Sequence, residues 1–235
     1  MQDIGEALRL ALGLVLGLDA DLVEIVALSL RVSLTATLAA CALGMPLGAL
    51  LAVARFPGRG AAVAALNALM GLPPVVVGLL VYLHLSRSGP FGFLGLLYTP
   101  TAMIVAQTVL VAPLVAALAR QAIEDLHAEY DEQFRSLGLS RAETVAALLW
   151  DGRFALLTVA LAGFGRAVAE VGAVILVGGN IDHLTRVMTT AIALETARGD
   201  LALALALGVV LMALALGVNA LAQAVGTAAA RSAHA

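Results

Sequence analysis

The chain has 235 residues, of which 62% are hydrophobic and 12% are charged, and its formal net charge is −3. An ordinary soluble domain has about a quarter of its residues charged, so this composition excludes a protein whose whole surface is hydrated. Every basic residue is an arginine. The lack of lysine excludes a phosphate-binding loop ending in Gly-Lys-Ser/Thr and Schiff-base catalysis on lysine. We therefore expect no enzyme active site, and any ATP must be bound by another subunit.

The apolar composition predicts an all-α membrane protein. Runs of about 20 apolar residues are long enough to cross a hydrocarbon layer of about 30 Å as helices. Aromatic residues make up only 4% of the chain, and the abundant small residues suit close packing of membrane helices. We expect a polytopic bundle of about five transmembrane helices in lipid, forming a single domain over residues 1–235. Cys41 is interpreted as a packed hydrophobe, and the scattered histidines predict no metal or other cofactor.

The first apolar stretch, residues 8–18, is about half as long as a membrane span. A secretory signal peptide would begin with basic residues and end in a small-residue cleavage site. This stretch instead follows Asp3 and Glu6 and precedes Asp19 and Asp21. We predict a helix that lies in the membrane interface.

Five longer apolar runs follow, and we predict each of them to be a transmembrane helix. Pro46 and Pro113 are expected to bend the first and third of these helices. Gly71, Pro73 and Pro74 interrupt the second run, where neighbouring groups must satisfy the freed backbone. The predicted spans are residues 25–54, 61–85, 101–119, 154–177 and 201–225.

The distribution of arginine predicts the orientation of these helices, because short cytoplasmic loops carry an excess of basic residues. With the N-terminus outside and the C-terminus in the cytoplasm, most of the loop arginines fall on the cytoplasmic side. The cytoplasmic set is Arg55, Arg59, Arg120, Arg135, Arg141, Arg153 and Arg231. The outer set is Arg9, Arg87, Arg186 and Arg198.

The longest polar region, residues 120–153, is predicted to be a folded cytoplasmic element. Gly138 stands where a helix ends in the left-handed conformation, and Ser140 with Glu143 forms the S-x-x-E capping box that begins a new helix. We therefore expect two short helices joined at a glycine hinge. Their apolar stripes would be Tyr130, Phe134 and Leu137 in the first and Val145, Leu148 and Leu149 in the second. An amphipathic hairpin resting on the membrane surface is the alternative.

The same region resembles the cytoplasmic loop of permease subunits of binding-protein-dependent ABC importers. In that family the loop has the pattern E-A-A, three residues, G, nine residues, I-x-L-P, and it docks into a groove on the ATPase subunit. The matching residues are Glu132, Gly138, Leu148 and Trp150, at the first, glycine, isoleucine and leucine positions. The departures are Gln133, Phe134 and Asp151 in place of the two alanines and the proline. The resemblance implies that this loop, with its capping box, couples the chain to an ATPase.

A second resemblance covers residues 163–208. The GGNI turn, the RVMTT segment and the ETARGD segment are similar to the corresponding region of tungstate-type permeases, whereas molybdate permeases usually differ in that turn. The resemblance implies the methionine-importer-type transmembrane fold. It also implies a homodimer in a bacterial inner membrane, working with two ATPase subunits and an external oxyanion-binding protein, and no nucleic acid. The transported ion would be tungstate, with molybdate or another oxyanion as the alternative.

Arg166 and Glu170 place two charges inside the fourth apolar run. A charge at the centre of the bilayer costs about 2.5–3.5 kcal/mol on insertion scales. Since the two residues are four positions apart, we expect them to share a helix face and partly neutralise each other. A structural pair at a dimer interface and a gate in the transport pathway are both open interpretations.

Polar side chains that follow the fourth run offer hydrogen bonds to an oxyanion on its pathway. These residues are Asn180, Thr185, Thr189 and Thr190. Capping of loops and helix starts is the competing interpretation, because Asn and Thr side chains readily bond to nearby backbone.

Two other functional classes fit the sequence less well. A secondary transporter needs coupling-ion ligands near the bilayer midplane and commonly contains an internal repeat, but five spans do not divide into equal halves. A membrane-embedded zinc protease would carry a motif such as H-E-x-x-H, which this sequence lacks.

Overall fold

A computed structural model describes the backbone of residues 4–233 and the side chains of residues 5–226. The side chain of Arg231, assigned above to the cytoplasmic side, lies outside the described residues. The described part contains ten α-helices, one 3-10 helix at Gly92–Leu94 and no β-strand. The α-helices are α1 Ile4–Leu16, α2 Ala20–Val53, α3 Arg59–Met70, α4 Pro74–Leu85, α5 Pro100–Ser136, α6 Arg141–Asp151, α7 Arg153–Val168, α8 Gly172–Gly178, α9 Met188–Arg198 and α10 Leu201–Ala233. The predicted all-α fold is confirmed.

Three helices, α2, α5 and α10, are each long and apolar enough to cross a membrane. Two further candidate spans are bent pairs: α3 and α4 bend by 96°, and α6 and α7 bend by 74°. Counting each bent pair as one span gives five. The break between α3 and α4 falls at Gly71 to Pro73, as expected where prolines remove backbone N–H donors. Pro46 and Pro113 lie inside continuous helices.

The fourth predicted span, residues 154–177, is not a single helix. α7 ends at Val168 and α8 begins at Gly172, so Glu170 lies in a break. The Glu170 carboxylate accepts from the Ala173 N–H at 3.1 Å, and the Thr189 hydroxyl donates to the Glu170 carbonyl at 2.8 Å. Hydropathy does not detect such a break, because it does not report hydrogen bonds. The freed backbone groups of this break bond to the side chain of Thr189, which is distant in sequence, and to that of Glu170, which lies in the break.

The prediction of two short helices in residues 120–153 is wrong for the first of them. α5 continues without interruption through Arg120 to Ser136, so this helix is the end of the third span. At about 1.5 Å per residue, the 37 residues of α5 extend about 55 Å. No glycine lies between Pro100 and Ser136 to end the helix earlier.

The chain forms two compact units. Unit 1 comprises Met1–Ala36, Pro73–Gln107 and Arg166–Gly217, and unit 2 comprises Thr37–Leu72, Thr108–Gly165 and Val218–Ala235. In unit 2, α2 and α5 approach so closely that a Cβ added at Gly48 would lie 2.3 Å from the carbonyl oxygen of Ala116. In unit 1, α4 packs on α8, and a Cβ at Gly78 would lie 2.7 Å from the Cα of Ala173. Glycine therefore permits close backbone contacts within each unit.

Candidate functional site

The turn at Gly138 ends α5 with a complete Schellman motif. Gly138 has φ 67°, in the left-handed region that glycine adopts without strain. The Leu139 N–H donates to the Phe134 carbonyl at 3.1 Å, and the Gly138 N–H donates to the Arg135 carbonyl at 3.1 Å. These two bonds satisfy carbonyls that the helix end would leave unpaired. The predicted glycine hinge is confirmed as a local structure.

The start of α6 has the predicted capping box. The Glu143 N–H donates to the Ser140 hydroxyl oxygen at 3.3 Å, and the Ser140 N–H donates to the Glu143 carboxylate at 2.8 Å. Hydrogen bonds from the hydroxyl and the backbone N–H of Ser140 lower the pKa of Glu143, because both bonds favour the ionised carboxylate. The turn and the cap together fix the direction in which α6 leaves α5.

Leu148 and Trp150 take different positions on α6. Leu148 is fully buried and packs in a cluster with Ile123 of α5 and Leu156 of α7. Trp150 is 74% exposed, and the Arg153 guanidinium lies 5.3 Å from the centre of its ring. Leu148 therefore packs α6 against α5 and α7, while Trp150 presents a large aromatic surface to the outside.

Leu137 is a surface residue that the sequence pattern misassigned. Tyr130 and Phe134 pack their rings 5.9 Å apart against the same cluster, as the stripe predicts. Leu137 is instead 72% exposed, because α5 ends at Ser136 and the chain turns at Gly138. A residue directly before a capping glycine no longer follows the helix face, and this signal could have identified it from the sequence. Glu132 is exposed as well.

Ion pairs connect α5 to the turn after α2 and to the first residue of α3. The Arg59 guanidinium donates to the Glu124 carboxylate at 2.6 Å. The Asp131 carboxylate accepts from Arg135 at 2.7 Å and lies 3.5 Å from a guanidinium nitrogen of Arg55. Exposed pairs of this kind contribute only about 0–1 kcal/mol each, so they orient the turn more than they stabilise it.

Arg166 and Glu170 form an ion pair across the end of α7. The Arg166 Nη1 donates to the Glu170 Oε2 at 2.6 Å, so the predicted pairing is present. The prediction that both residues share one helix face is wrong, since Glu170 follows the helix end and its second oxygen caps α8 through Ala173. Gln107 of α5 donates its side-chain amide to the Ala167 carbonyl at 3.0 Å, which satisfies a carbonyl in the last turn of α7.

The polar residues after α8 bond to one another and to nearby backbone. The Thr185 hydroxyl donates to the Gly178 carbonyl at 2.6 Å and accepts from the Ile181 N–H. The Thr190 hydroxyl is 2.8 Å from the Asn180 side-chain oxygen and accepts from the Val187 N–H. Thr189 holds the Glu170 carbonyl, as described above. Thr185, Thr189 and Thr190 are buried and Asn180 is half-buried.

His183, on the same loop, contacts the start of α2 in unit 1. Its Nδ1 lies 2.9 Å from a carboxylate oxygen of Glu24, 159 residues away in sequence. The hydrogen bond and charge of Glu24, with the charges of Asp182 and Asp21, raise the pKa of His183. The stabilising charge pair is therefore present just below the ordinary pKa of histidine and is lost as the pH rises through the raised pKa of His183. No sequence spacing signals this contact.

These features define a polytopic helical membrane protein with a structured helical extension at the end of one long span. Residues 44–230 match the family described as binding-protein-dependent transport system inner membrane component. The chain belongs to this family of inner membrane components.

Similar proteins include a tungstate uptake system permease protein of Peptoclostridium acidaminophilum, 40% identical over 85% of this chain and 88% of its own length. A probable anion ABC transporter permease protein of Haloferax volcanii is 40% identical over 77% of this chain and 80% of its own. A molybdenum transport system permease protein of Azotobacter vinelandii is 29% identical over 70% of this chain and 76% of its own.

Proposed function

We propose that this chain is the permease subunit of an ATP-driven importer of tungstate. ATP is hydrolysed on a partner ATPase, and an external binding protein delivers the ion. The observation that supports tungstate is the 40% identity to a tungstate uptake permease over 85% of the chain, against 29% for a molybdenum permease. The family description supports a binding protein as the delivering partner.

Two copies of the chain form the membrane unit in this proposal, together with two ATPase subunits. The breaks before α4 and α8 support a second copy, because irregular backbone at membrane depth is tolerated only where protein or water covers it. Apolar side chains beside these breaks are uncovered in the single chain. Val75 is 57% exposed and Val171 is 38% exposed. The second copy covers this surface and encloses the path of the ion.

Residues 120–153, the coupling segment, transmit ATPase movement to the spans. Glu132, Leu137 and Trp150, which are exposed, contact the ATPase. Leu148, buried against α5 and α7, passes the displacement of α6 to those helices. An amphipathic hairpin lying on a membrane would instead expose a continuous apolar face, whereas the apolar face of α6 is packed in the cluster around Leu148.

The hydrogen bonds of the loop after α8 support capping as the role of its polar residues. The hydroxyls of Thr185 and Thr189 bond to backbone carbonyls, and the hydroxyl of Thr190 bonds to the side chain of Asn180. We therefore propose that the three threonines and Asn180 stabilise the conformation of the loop. Their substitution is expected to act through folding of the loop.

The N-terminus is outside and the C-terminus is cytoplasmic in this proposal, because the arginine excess then lies inside. Phosphatase fusions at Arg87 should be active, since this enzyme works only outside the cytoplasm. Fusions at Arg59 and Arg141 should be inactive as phosphatase and active as a cytoplasmic reporter. The reverse pattern would place the coupling segment on the wrong side for an ATPase and would refute the orientation.

Uptake measurements test the proposed substrate. Deletion of the gene should abolish tungsten accumulation at nanomolar external tungstate, while sulfate uptake stays unchanged and the restored gene returns tungsten uptake to its original level. Unchanged tungsten accumulation in a strain without a second tungstate system would refute the proposal. Loss of molybdenum uptake alone would assign the chain to molybdate instead. Tungstate uptake that survives removal of the partner ATPase would point to a secondary transporter.

A further inference from the structure

The ion pair in the break between α7 and α8 is unequal in exposure. The side chain of Glu170 is 3% exposed, whereas that of Arg166 is 38% exposed. The carboxylate is therefore enclosed in unit 1, whereas the arginine side chain is partly exposed.

Both carboxylate oxygens of Glu170 are engaged by groups of the chain itself. One carboxylate oxygen accepts from Arg166 and the other accepts from the Ala173 N–H that begins α8. Arg166, in contrast, makes one hydrogen bond to the described residues, from Nη1 to Glu170. A guanidinium has five N–H donors, and the hydrogen bond to Glu170 uses one of them.

The surroundings show why this arrangement does not suit lipid. A charged side chain at membrane depth is costly, and such residues face protein or a water-filled path. The adjoining break in the backbone must also face protein or a water-filled path. Val171, directly before α8, and Ile175, on α8, are apolar and are 38% and 40% exposed. Arg166 is thus a partly exposed cation, held by a buried carboxylate, in a segment whose other exposed side chains include the apolar Val171 and Ile175.

We propose that the Arg166 guanidinium binds the tetrahedral oxyanion during its passage, with Glu170 as the residue that positions it. This inference rests on the proposed function and specifies one contact of the same pathway. Arginine matches an oxyanion because two parallel N–H groups can bond to two oxygens at once. Since apolar residues flank it, the contact attracts the ion without enclosing it, as release on the far side requires.

Chemical restoration of the charge tests the contact. In a Cys41→Ser background, Arg166→Cys leaves one reactive thiol, because Cys41 is the only cysteine. The complex is reconstituted in proteoliposomes with its ATPase and tungstate-loaded binding protein. We expect Arg166→Cys to lower tungstate uptake by roughly tenfold or more, the usual effect of losing a hydrogen bond to a charged group. Aminoethyl methanethiosulfonate, which adds a cation, should restore most of the uptake, and the anionic sulfonatoethyl reagent should not.

A double variant separates ion contact from structural charge balance. Arg166→Gln with Glu170→Gln removes both charges and keeps an acceptor for the Ala173 N–H. We expect this pair to assemble and to remain defective in uptake, whereas Glu170→Gln alone keeps the guanidinium and retains more uptake than Arg166→Gln. If Arg166→Cys does not assemble, Arg166→Lys replaces it, with intermediate uptake expected.

Several outcomes would overturn the inference while leaving the proposed function intact. They are full uptake by Arg166→Cys, equal rescue by both reagents, full uptake by the neutral pair, or Arg166→Lys as defective as Arg166→Gln. A wild-type complex that does not transport tungstate would instead refute the proposed function.

Discussion

Replacing Gly138 by valine is expected to remove substrate-stimulated ATP hydrolysis while the permease still inserts and assembles. Gly138 has φ 67°, and a Cβ added there would meet nothing within 4 Å. The substitution therefore acts through the backbone alone. A left-handed conformation costs an L-residue about 1–2 kcal/mol, and a β-branched side chain tolerates it worst. The Leu139 to Phe134 hydrogen bond is then lost and α6 no longer leaves α5 at the required angle.

Graded substitutions at the same position provide the control. Gly138→Asn should retain most activity, because asparagine tolerates the left-handed region, and Gly138→Ala should be intermediate. The measurement is ATP hydrolysis by the reconstituted complex with loaded binding protein, with a decrease of roughly tenfold or more expected for valine. Equal activity of the valine and asparagine variants would show that the turn does not control coupling.

Replacing Trp150 by alanine is expected to weaken binding of the ATPase without loss of permease stability. Exposed substitutions usually change stability by less than about 0.5 kcal/mol, and Trp150 is 74% exposed. A tryptophan at the centre of an interface commonly contributes about 2 kcal/mol or more, which is roughly a thirtyfold increase in Kd. Titration of the purified ATPase onto the permease in nanodiscs measures this affinity.

Two further variants make that measurement specific. Phe93→Ala removes another exposed aromatic, 82% exposed and outside the coupling segment, and should leave the affinity unchanged. Leu148→Ala empties a fully buried site on the same helix as Trp150 and should destabilise the permease by about 2–5 kcal/mol. If Trp150→Ala bound the ATPase as tightly as Phe93→Ala, Trp150 would not be part of the interface.

Sequence patterns correctly predicted the local structures that depend only on residues close together in the chain. The left-handed turn at Gly138 and the Ser140–Glu143 capping box are present as expected. Both are closed by hydrogen bonds within a few residues, so their geometry does not depend on distant chain segments. The burial of Leu148 also follows from its helical spacing.

The sequence alone determined that this protein is an all-α membrane protein, because apolar runs of sufficient length have no other stable environment than lipid. Only the tertiary structure decided where those runs break. Glu170 lies in the break between α7 and α8, where Thr189 and Arg166 satisfy its polar groups. Close packing of Gly78 on Ala173 holds α8 against α4. The same structure gave Arg166 its exposed surface. Hydropathy reports the cost of placing each residue in lipid. The position of a break depends also on contacts between segments far apart in the chain, such as the bond from Thr189 to Glu170.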